Sequence, residues 1–159
     1  MIEMDWSKYI GFDIDKEWHK RLGLPPESWH LKIPFQHDWD KYYKLKPGDV
    51  YVEVGAFWAR NGRMASIQVG PNGRVILIEP SPTNIAVIED VIRRLDLKNV
   101  TLLKKAASDR RDRMNLLCFF RSENDVIGYE ETPESYRQKY GYLKDEGGVD
   151  IKEVECDTV

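Results

Sequence analysis

Acidic side chains follow three strand-like segments of this chain, at Glu53, Glu79 and Asp109. The carboxyl ends of neighbouring parallel strands meet at one edge of a sheet, and ligands bind there. Gly55 has no side chain, so a ligand can approach the backbone closely after the first segment. Glu79 follows Gly55 by 24 residues, a spacing at which a carboxylate can accept hydrogen bonds from both hydroxyls of an adenosine ribose. The spacing therefore indicates a nucleoside cofactor.

The loop after the first segment narrows the choice of cofactor. It reads GAFWARNG, with bulky Phe57 and Trp58 after a single glycine at the turn. The GxGxxG cradle for a pyrophosphate is missing, which disfavours a nicotinamide-dependent oxidoreductase. Glu53 could face the ammonium of an amino-acid moiety, and this points to S-adenosylmethionine. The alternative is that Glu53 and Glu79 are strand-end carboxylates without a ligand and that Gly55 only forms a turn.

Strands and helices alternate from Lys46 onward, and this alternation would position the acidic residues. VYVEV and VILIE are rich in β-branched and apolar residues, as buried strands are. Ser81 followed by Pro82 is typical of a helix N-terminus. The predicted elements are strands at about 50–54, 75–79 and 100–106, with helices at 58–69 and after Ser81. Such an order predicts an α/β, Rossmann-like fold with a mainly parallel sheet.

The segments on either side of this unit are less regular. Residues 1–45 form a Trp-rich lead-in, in which Asp15 is expected to cap a short helix that Gly23 ends. Its tryptophans either cover an apolar edge of the main domain or face a substrate. Residues 46–159 form the main domain, in which further strands are predicted at 114–120 and 149–158 and a helix at 133–143.

Composition limits the classes of protein. The chain has 159 residues, enough for one domain, and a formal net charge of −3, so charge alone predicts no nucleic-acid partner. One basic segment, KKAASDRRDR, is either a solvated turn or a phosphate-contacting patch. No apolar run reaches the roughly 20 residues that a membrane span needs, and we expect a soluble cytoplasmic protein without a membrane partner.

The residues that commonly bind metals are few and poorly spaced. The two cysteines, Cys118 and Cys156, form no CxxC motif, and the three histidines match no common metal motif. The sequence therefore predicts two reduced thiols and no metal site.

The stretch from Lys46 to Asp109 resembles the FkbM-type branch of class I S-adenosylmethionine-dependent methyltransferases, most specifically in the segment IEPSPTN. The resemblance implies the same cofactor and a Rossmann-like class I methyltransferase fold. It implies that Glu53, Gly55 and Ala56 line the methionine end of the cofactor. Glu79 would bind the ribose, with Pro80 and Ser81 beside it. Ser108 and Asp109 would lie near the adenine. Phe57 belongs to the same site, although it replaces the Asn of the family's DxGANxG loop.

The same resemblance implies methyl transfer to an oxygen of a small-molecule or sugar-like acceptor. The family continues into a fourth strand with a KxDxEG-like motif, which this sequence lacks, so we expect the N-terminal half of such an enzyme, apparently truncated at its C-terminus. The residues that act on the acceptor would lie largely in the other half, and no catalytic residue is assigned. The alternative is a binding module of the same fold without catalysis.

Two further expectations concern packing. The rings of Phe57 and Trp58 either lie over the sulfonium of the cofactor or pack against the N-terminal segment. In the class I topology the first strand is central, so one of its edges would be unpaired here. We expect either that 114–120 or 149–158 folds back over this edge or that the chain forms a homo-oligomer.

Overall fold

The computed structural model describes residues 11–24, 43–118, 126–128 and 150–158. Three helices and seven strands lie in these ranges, alternating as far as the third strand. In chain order they are α1 (Phe12–Arg21), β1 (Val50–Val54), α2 (Arg60–Val69), β2 (Arg74–Ile78), α3 (Pro82–Arg94), β3 (Val100–Leu103), β4 (Ala106–Ser108), β5 (Asp112–Cys118), β6 (Val126–Gly128) and β7 (Asp150–Thr158).

A three-stranded parallel sheet in the order β1-β2-β3 forms the centre of the fold. Its strands are joined by α2 and α3, the crossover helices that parallel pairing requires. The predicted strands at 50–54 and 75–79 and the predicted helices at 58–69 and after Ser81 are confirmed to within a few residues. The expected α/β, Rossmann-like fold with a mainly parallel sheet is therefore confirmed.

The main core lies between this sheet and its helices. Side chains alternate across a strand, so Val75 and Leu77 point to the same face, where they pack with Ala65, Val69 and Ile88. Every one of these side chains is at most 1% exposed. A Cβ at Gly62 would come within 2.6 Å of Leu77 Cδ2, so any other residue there would force the buried Leu77 side chain to move.

Helix α1 differs from its prediction at its first residue. It begins at Phe12 with Gly11 at the N-cap, and Asp15 lies inside the helix. The Asp15 carboxylate does not cap the helix and instead forms salt bridges with Arg60 and Arg63 of α2. The expected end of the helix is confirmed, since Leu22 is the C-cap and Gly23 adopts a left-handed backbone with φ of 67°.

The predicted third strand is wrong beyond Leu103. Ala106–Ser108 leaves the parallel sheet and pairs with β7 in a second sheet of order β4-β7-β5-β6. Strands β5 and β7 confirm the strands predicted at 114–120 and 149–158, with β5 shifted by two residues. The predicted helix at 133–143 lies outside the described residues. Cys118 and Cys156 are both free thiols.

In the described parts of 114–120 and 149–158, neither segment folds back over the free edge of β1, contrary to the first alternative. Strands β5 and β7 pair with each other and with β4 and β6, and among the described strands β1 pairs only with β2. Val50, Val52 and Val54 are exposed on the face opposite to Tyr51, which packs on the α2 side. Among the described helices none is long and apolar enough to cross a membrane.

We expect the chain to self-associate through this edge, because backbone groups that pair with no other described strand and lie beside exposed valines are a template for association. Val52→Lys should shift the protein toward the monomer in sedimentation equilibrium. Ile67→Lys is the matched control, since Ile67 is similarly exposed but lies on α2. A wild-type monomer whose amides at 50–54 exchange rapidly would contradict this expectation.

Candidate functional site

The carboxyl ends of β1 and β2 lie side by side. Val54 is in register with Ile78, and the Ile78 carbonyl accepts hydrogen bonds from Gly55 N at 2.9 Å and Ala56 N at 3.2 Å. Glu79 N donates to the carbonyl of Leu103 at the end of β3. The structure therefore brings Glu53, Gly55, Ala56 and Glu79 to one edge of the parallel sheet.

Glu79 connects the two loops that follow these strands. Its Oε2 accepts a hydrogen bond from Phe57 N at 2.7 Å, and its Oε1 accepts from Ser81 N at 2.9 Å and Asn84 Nδ2 at 3.3 Å. The residue is 4% exposed, and burial raises the pKa of its carboxyl while these donors oppose the rise. A carboxylate has about four acceptor positions, so these three donors leave room for one more.

Ser81 occupies the predicted N-cap position of α3, with an extended backbone and Pro82 after it. Its side chain does not cap the helix. The hydroxyl is buried and has no hydrogen-bond partner in the described parts of the chain. Pro80, between Glu79 and Ser81, is half-buried. These three residues thus lie together as the sequence predicts, with the backbone of Ser81 rather than its hydroxyl contacting Glu79.

Glu53 is a second carboxylate at this edge. Burial raises the pKa of its carboxyl to about 7, hydrogen bonds from Asn61 and Gly62 oppose the rise, and the nearby Glu79 adds to it. Its Oε2 is buried and has no hydrogen-bond partner among the residues that the structure describes. A ligand that brings a positive charge or a hydrogen-bond donor to this oxygen would stabilise the ionised carboxylate.

The loop between these carboxylates has an unusual backbone. Gly55, Phe57 and Ala59 all have left-handed φ angles, of 73°, 50° and 54°, and side chains other than glycine seldom adopt this conformation. The Phe57 and Trp58 rings stack, with centroids 5.2 Å apart. Trp58 is fully buried in a cluster with Ile14 of α1, so Trp58 packs against the N-terminal segment instead of lying open to a ligand.

Ser108 and Asp109 do not follow the third parallel strand as expected. That strand ends at Leu103, Ser108 belongs to β4 in the second sheet, and Asp109 is exposed beside Arg110. Lys104 and Lys105 are the residues that follow β3. The expected neighbourhood of Ser108 and Asp109 with Glu79 therefore rests on an incorrect strand end, and their contact with an adenine stays a prediction.

The basic segment is largely neutralised by acidic partners. The described ion pairs are Lys104–Glu89, Lys105–Asp157, Arg110–Asp109, Arg111–Asp157 and Arg113–Glu153. Lys105 and Arg111 hold the pKa of Asp157 at about 2. A cavity of about 530 Å³ beside β4, β5 and β7 is lined by three basic and three acidic side chains together with Cys156. Its walls balance in charge and favour neither an anion nor a cation.

Sequence reasoning missed two arginines that hold the loop. Arg63 Nη2 donates to the Trp58 carbonyl at 2.7 Å and to Asp15 at 2.8 Å, and Arg60 also contacts Asp15. The composition of α2, RNGRMASIQV, could have indicated that its arginines make buried contacts. A helix with so few large apolar residues must use other side chains to cover its neighbours.

No family model matches the chain. Ribosomal RNA small subunit methyltransferase G of Lachnoclostridium phytofermentans is 24% identical over 135 residues, which cover 78% of this chain and 54% of that protein. The chain thus spans about half the length of this curated relative.

Two solved structures are also similar. A SAM-dependent methyltransferase from Aquifex aeolicus is 27% identical with a TM-score of 0.40, and the match covers 45% of this chain and 39% of that one. A proposed rRNA-methylase from Clostridium thermocellum is 30% identical with a TM-score of 0.40, covering 44% and 38%. The name of the curated relative agrees with the resemblance to S-adenosylmethionine-dependent methyltransferases, while the FkbM branch stays a prediction.

The expectation that nucleic acid is not a partner is wrong. It was drawn from the near-balanced charge of the chain, whereas the curated relative is by its name a ribosomal RNA methyltransferase. Net charge describes the whole surface and does not report on a local contact.

Glu53 should make the stability of the protein depend on pH. The pKa of its carboxyl is about 7 in the folded protein and near 4.5 ordinarily. Because the folded state holds this proton more tightly, the protein becomes less stable as the pH rises from 4.5 to 7. We expect Glu53→Gln to remove this loss and to raise the free energy of unfolding at pH 8 by up to about 3 kcal/mol.

Urea denaturation of both proteins at pH 5 and pH 8 measures this effect. Glu155→Gln, an exposed change on β7, is the control and should leave the pH dependence unaltered. The same pH dependence in Glu53→Gln as in the wild type would contradict the assignment to Glu53.

Proposed function

We propose that this chain binds S-adenosylmethionine at the carboxyl ends of β1 and β2 and is the cofactor-binding part of a methyltransferase. The observation that carries the proposal is the pair of carboxylates on either side of the Gly55 turn, the buried Glu79 and the half-buried Glu53, whose Oε2 is itself buried. The similarity to ribosomal RNA methyltransferase G supports it.

The residues present fit this cofactor at both ends. Glu53 Oε2 is a buried acceptor without a hydrogen-bond partner in the described ranges, which suits the ammonium of the methionine moiety. Among the described residues, Glu79 Oε2 accepts one hydrogen bond, from Phe57 N, and its remaining acceptor position suits a ribose hydroxyl. Pro80, Ser81, Ala56 and Phe57 would flank these two groups.

The chain's own contribution to the reaction would be binding and orientation. When bound, the cofactor supplies a methyl group that is already activated by its sulfonium. Correct alignment of two reactants can account for a large part of a rate enhancement. Glu53 belongs to β1 and Glu79 follows β2, and these two strands pair along their whole length, so the backbones of both residues are held at adjacent strand ends. We assign no general base to the described residues.

We propose RNA as the acceptor class, because the curated relative acts by its name on ribosomal RNA. Oxygen methylation of a small or sugar-like molecule is the second candidate, and it rests on IEPSPTN and its resemblance to the FkbM branch. A binding module without catalysis is the third, favoured by the protein donors that already engage Glu79. A cytoplasmic location and the division into a lead-in at 1–45 and a domain at 46–159 belong to the same proposal.

Calorimetric titration tests the cofactor. We expect S-adenosylmethionine and S-adenosylhomocysteine to bind, and Glu79→Gln to weaken both about ten- to a hundredfold, because a charged hydrogen bond contributes about 1.5–3 kcal/mol. Glu89→Gln, an exposed change on α3, should bind as the wild type does. Binding of NADH but of neither sulfur nucleoside would refute the assignment.

Transfer of a radiolabelled methyl group tests the acceptor. We expect label from S-adenosylmethionine to appear in ribosomal RNA and not in a panel of small sugars and hydroxylated compounds. Label in the small compounds alone would favour the second candidate. Cofactor binding with no transfer to either class would favour the binding module.

A further inference from the structure

A buried ion pair ties the first helix to the loop after β1. Asp15 of α1 accepts a hydrogen bond from Arg63 Nη2 at 2.8 Å, and the same nitrogen donates to the Trp58 carbonyl at 2.7 Å. Both side chains of the pair are 0% exposed. Because water does not compete at such depth, the guanidinium is held in one position, between an acid of one helix and a backbone carbonyl of the loop.

The carbonyl that Arg63 holds lies at the most constrained point of the loop. It belongs to Trp58, between Phe57 and Ala59, which are both left-handed. Such backbone persists only where surrounding contacts determine it. The ring of Trp58 is fixed as well, since it meets the His19 ring of α1 edge-on at 5.1 Å.

The loop conformation affects the strand-end site through Phe57. Phe57 directly precedes Trp58, and its N–H donates to Glu79 Oε2 at 2.7 Å. The direction of this N–H is set by the backbone of the turn, in which Gly55 and Phe57 are both left-handed. The contacts therefore run without interruption from Asp15 through Arg63, Trp58 and Phe57 to the Glu79 carboxylate.

We propose that Arg63, oriented by Asp15, is a positioning residue for the cofactor site, setting the Phe57 N–H and through it the Glu79 carboxylate. The first helix then acts on the binding site through this ion pair. This inference rests on the proposed function for its ligand, but the positioning itself can be observed without one.

The chain offers a matched control for the role of α1. Glu17 of the same helix pairs with Arg94 of α3 at 2.6 and 3.1 Å. This pair also ties α1 to the domain but is exposed and does not reach the loop. Weakening it tests attachment of the helix, whereas weakening Asp15–Arg63 tests attachment and positioning together.

The experiment compares Asp15→Asn, Arg63→Lys and Glu17→Gln in the full chain by two measurements. The first is the amide proton shift of Phe57 by NMR without ligand, which reports its hydrogen bond to Glu79. The second is the affinity for S-adenosylhomocysteine by calorimetry. Arg63→Lys keeps a positive charge beside Asp15, but its nitrogen lies one bond nearer to the backbone than Arg63 Nη2 and does not reach the position from which Nη2 contacts both acceptors. This variant carries the test if Asp15→Asn does not fold.

We expect Asp15→Asn and Arg63→Lys to move the Phe57 amide upfield and to weaken binding about five- to fiftyfold, with no change in Glu17→Gln. An unchanged Phe57 amide in folded Arg63→Lys would overturn the inference, and so would equal effects in Glu17→Gln. If the wild type binds no sulfur nucleoside while the amide still moves only in the first two variants, the proposed function fails and the positioning stands.

Discussion

The hydrogen bond from Phe57 N–H to Glu79 is the constraint on which the strand-end site depends. Glu79 is buried, and a buried carboxylate is stable only when donors surround it. Two of its three donors are backbone N–H groups, from Phe57 and Ser81. The backbone must therefore bend toward the carboxylate on both sides, and the left-handed angles at Phe57 and Ala59 follow from that requirement. Arg63 and the buried Trp58 ring then hold a loop whose conformation would be unfavourable in isolation.

The parts of the fold that local pattern determines could be predicted from the sequence. Strands β1 and β2 and helix α3 follow from apolar periodicity and from the Ser81-Pro82 start. The meeting of Glu53, Gly55 and Glu79 follows in turn, because parallel strands joined by short crossovers must bring their carboxyl ends together.

The rest depends on contacts between distant residues, which no local pattern records. Asp15 reads as a helix cap until it is seen beside Arg63, 48 residues later in the chain. The sequence from Val100 to Ala106 reads as one strand, and it divides because Ala106 pairs with Cys156 of β7 while Leu103 pairs with Ile78. Lys104 and Lys105, each in an ion pair with an acidic residue, lie where the chain passes from one sheet to the other. Charged side chains can remain in solvent there.

The net charge of the chain does not indicate which class of acceptor the proposed methyltransferase would take, and the ion pairs explain why. Arg111 is 83% exposed although it contacts Asp157, and exposed pairs of this kind contribute little because water and salt screen them. A guanidinium in such a pair can exchange a carboxylate for a phosphate with little loss, since it binds both with the same two-pronged geometry. A surface of paired charges is thus compatible with RNA as well as with a small acceptor. The choice between them must come from the residues that contact the acceptor, not from the balance of charge.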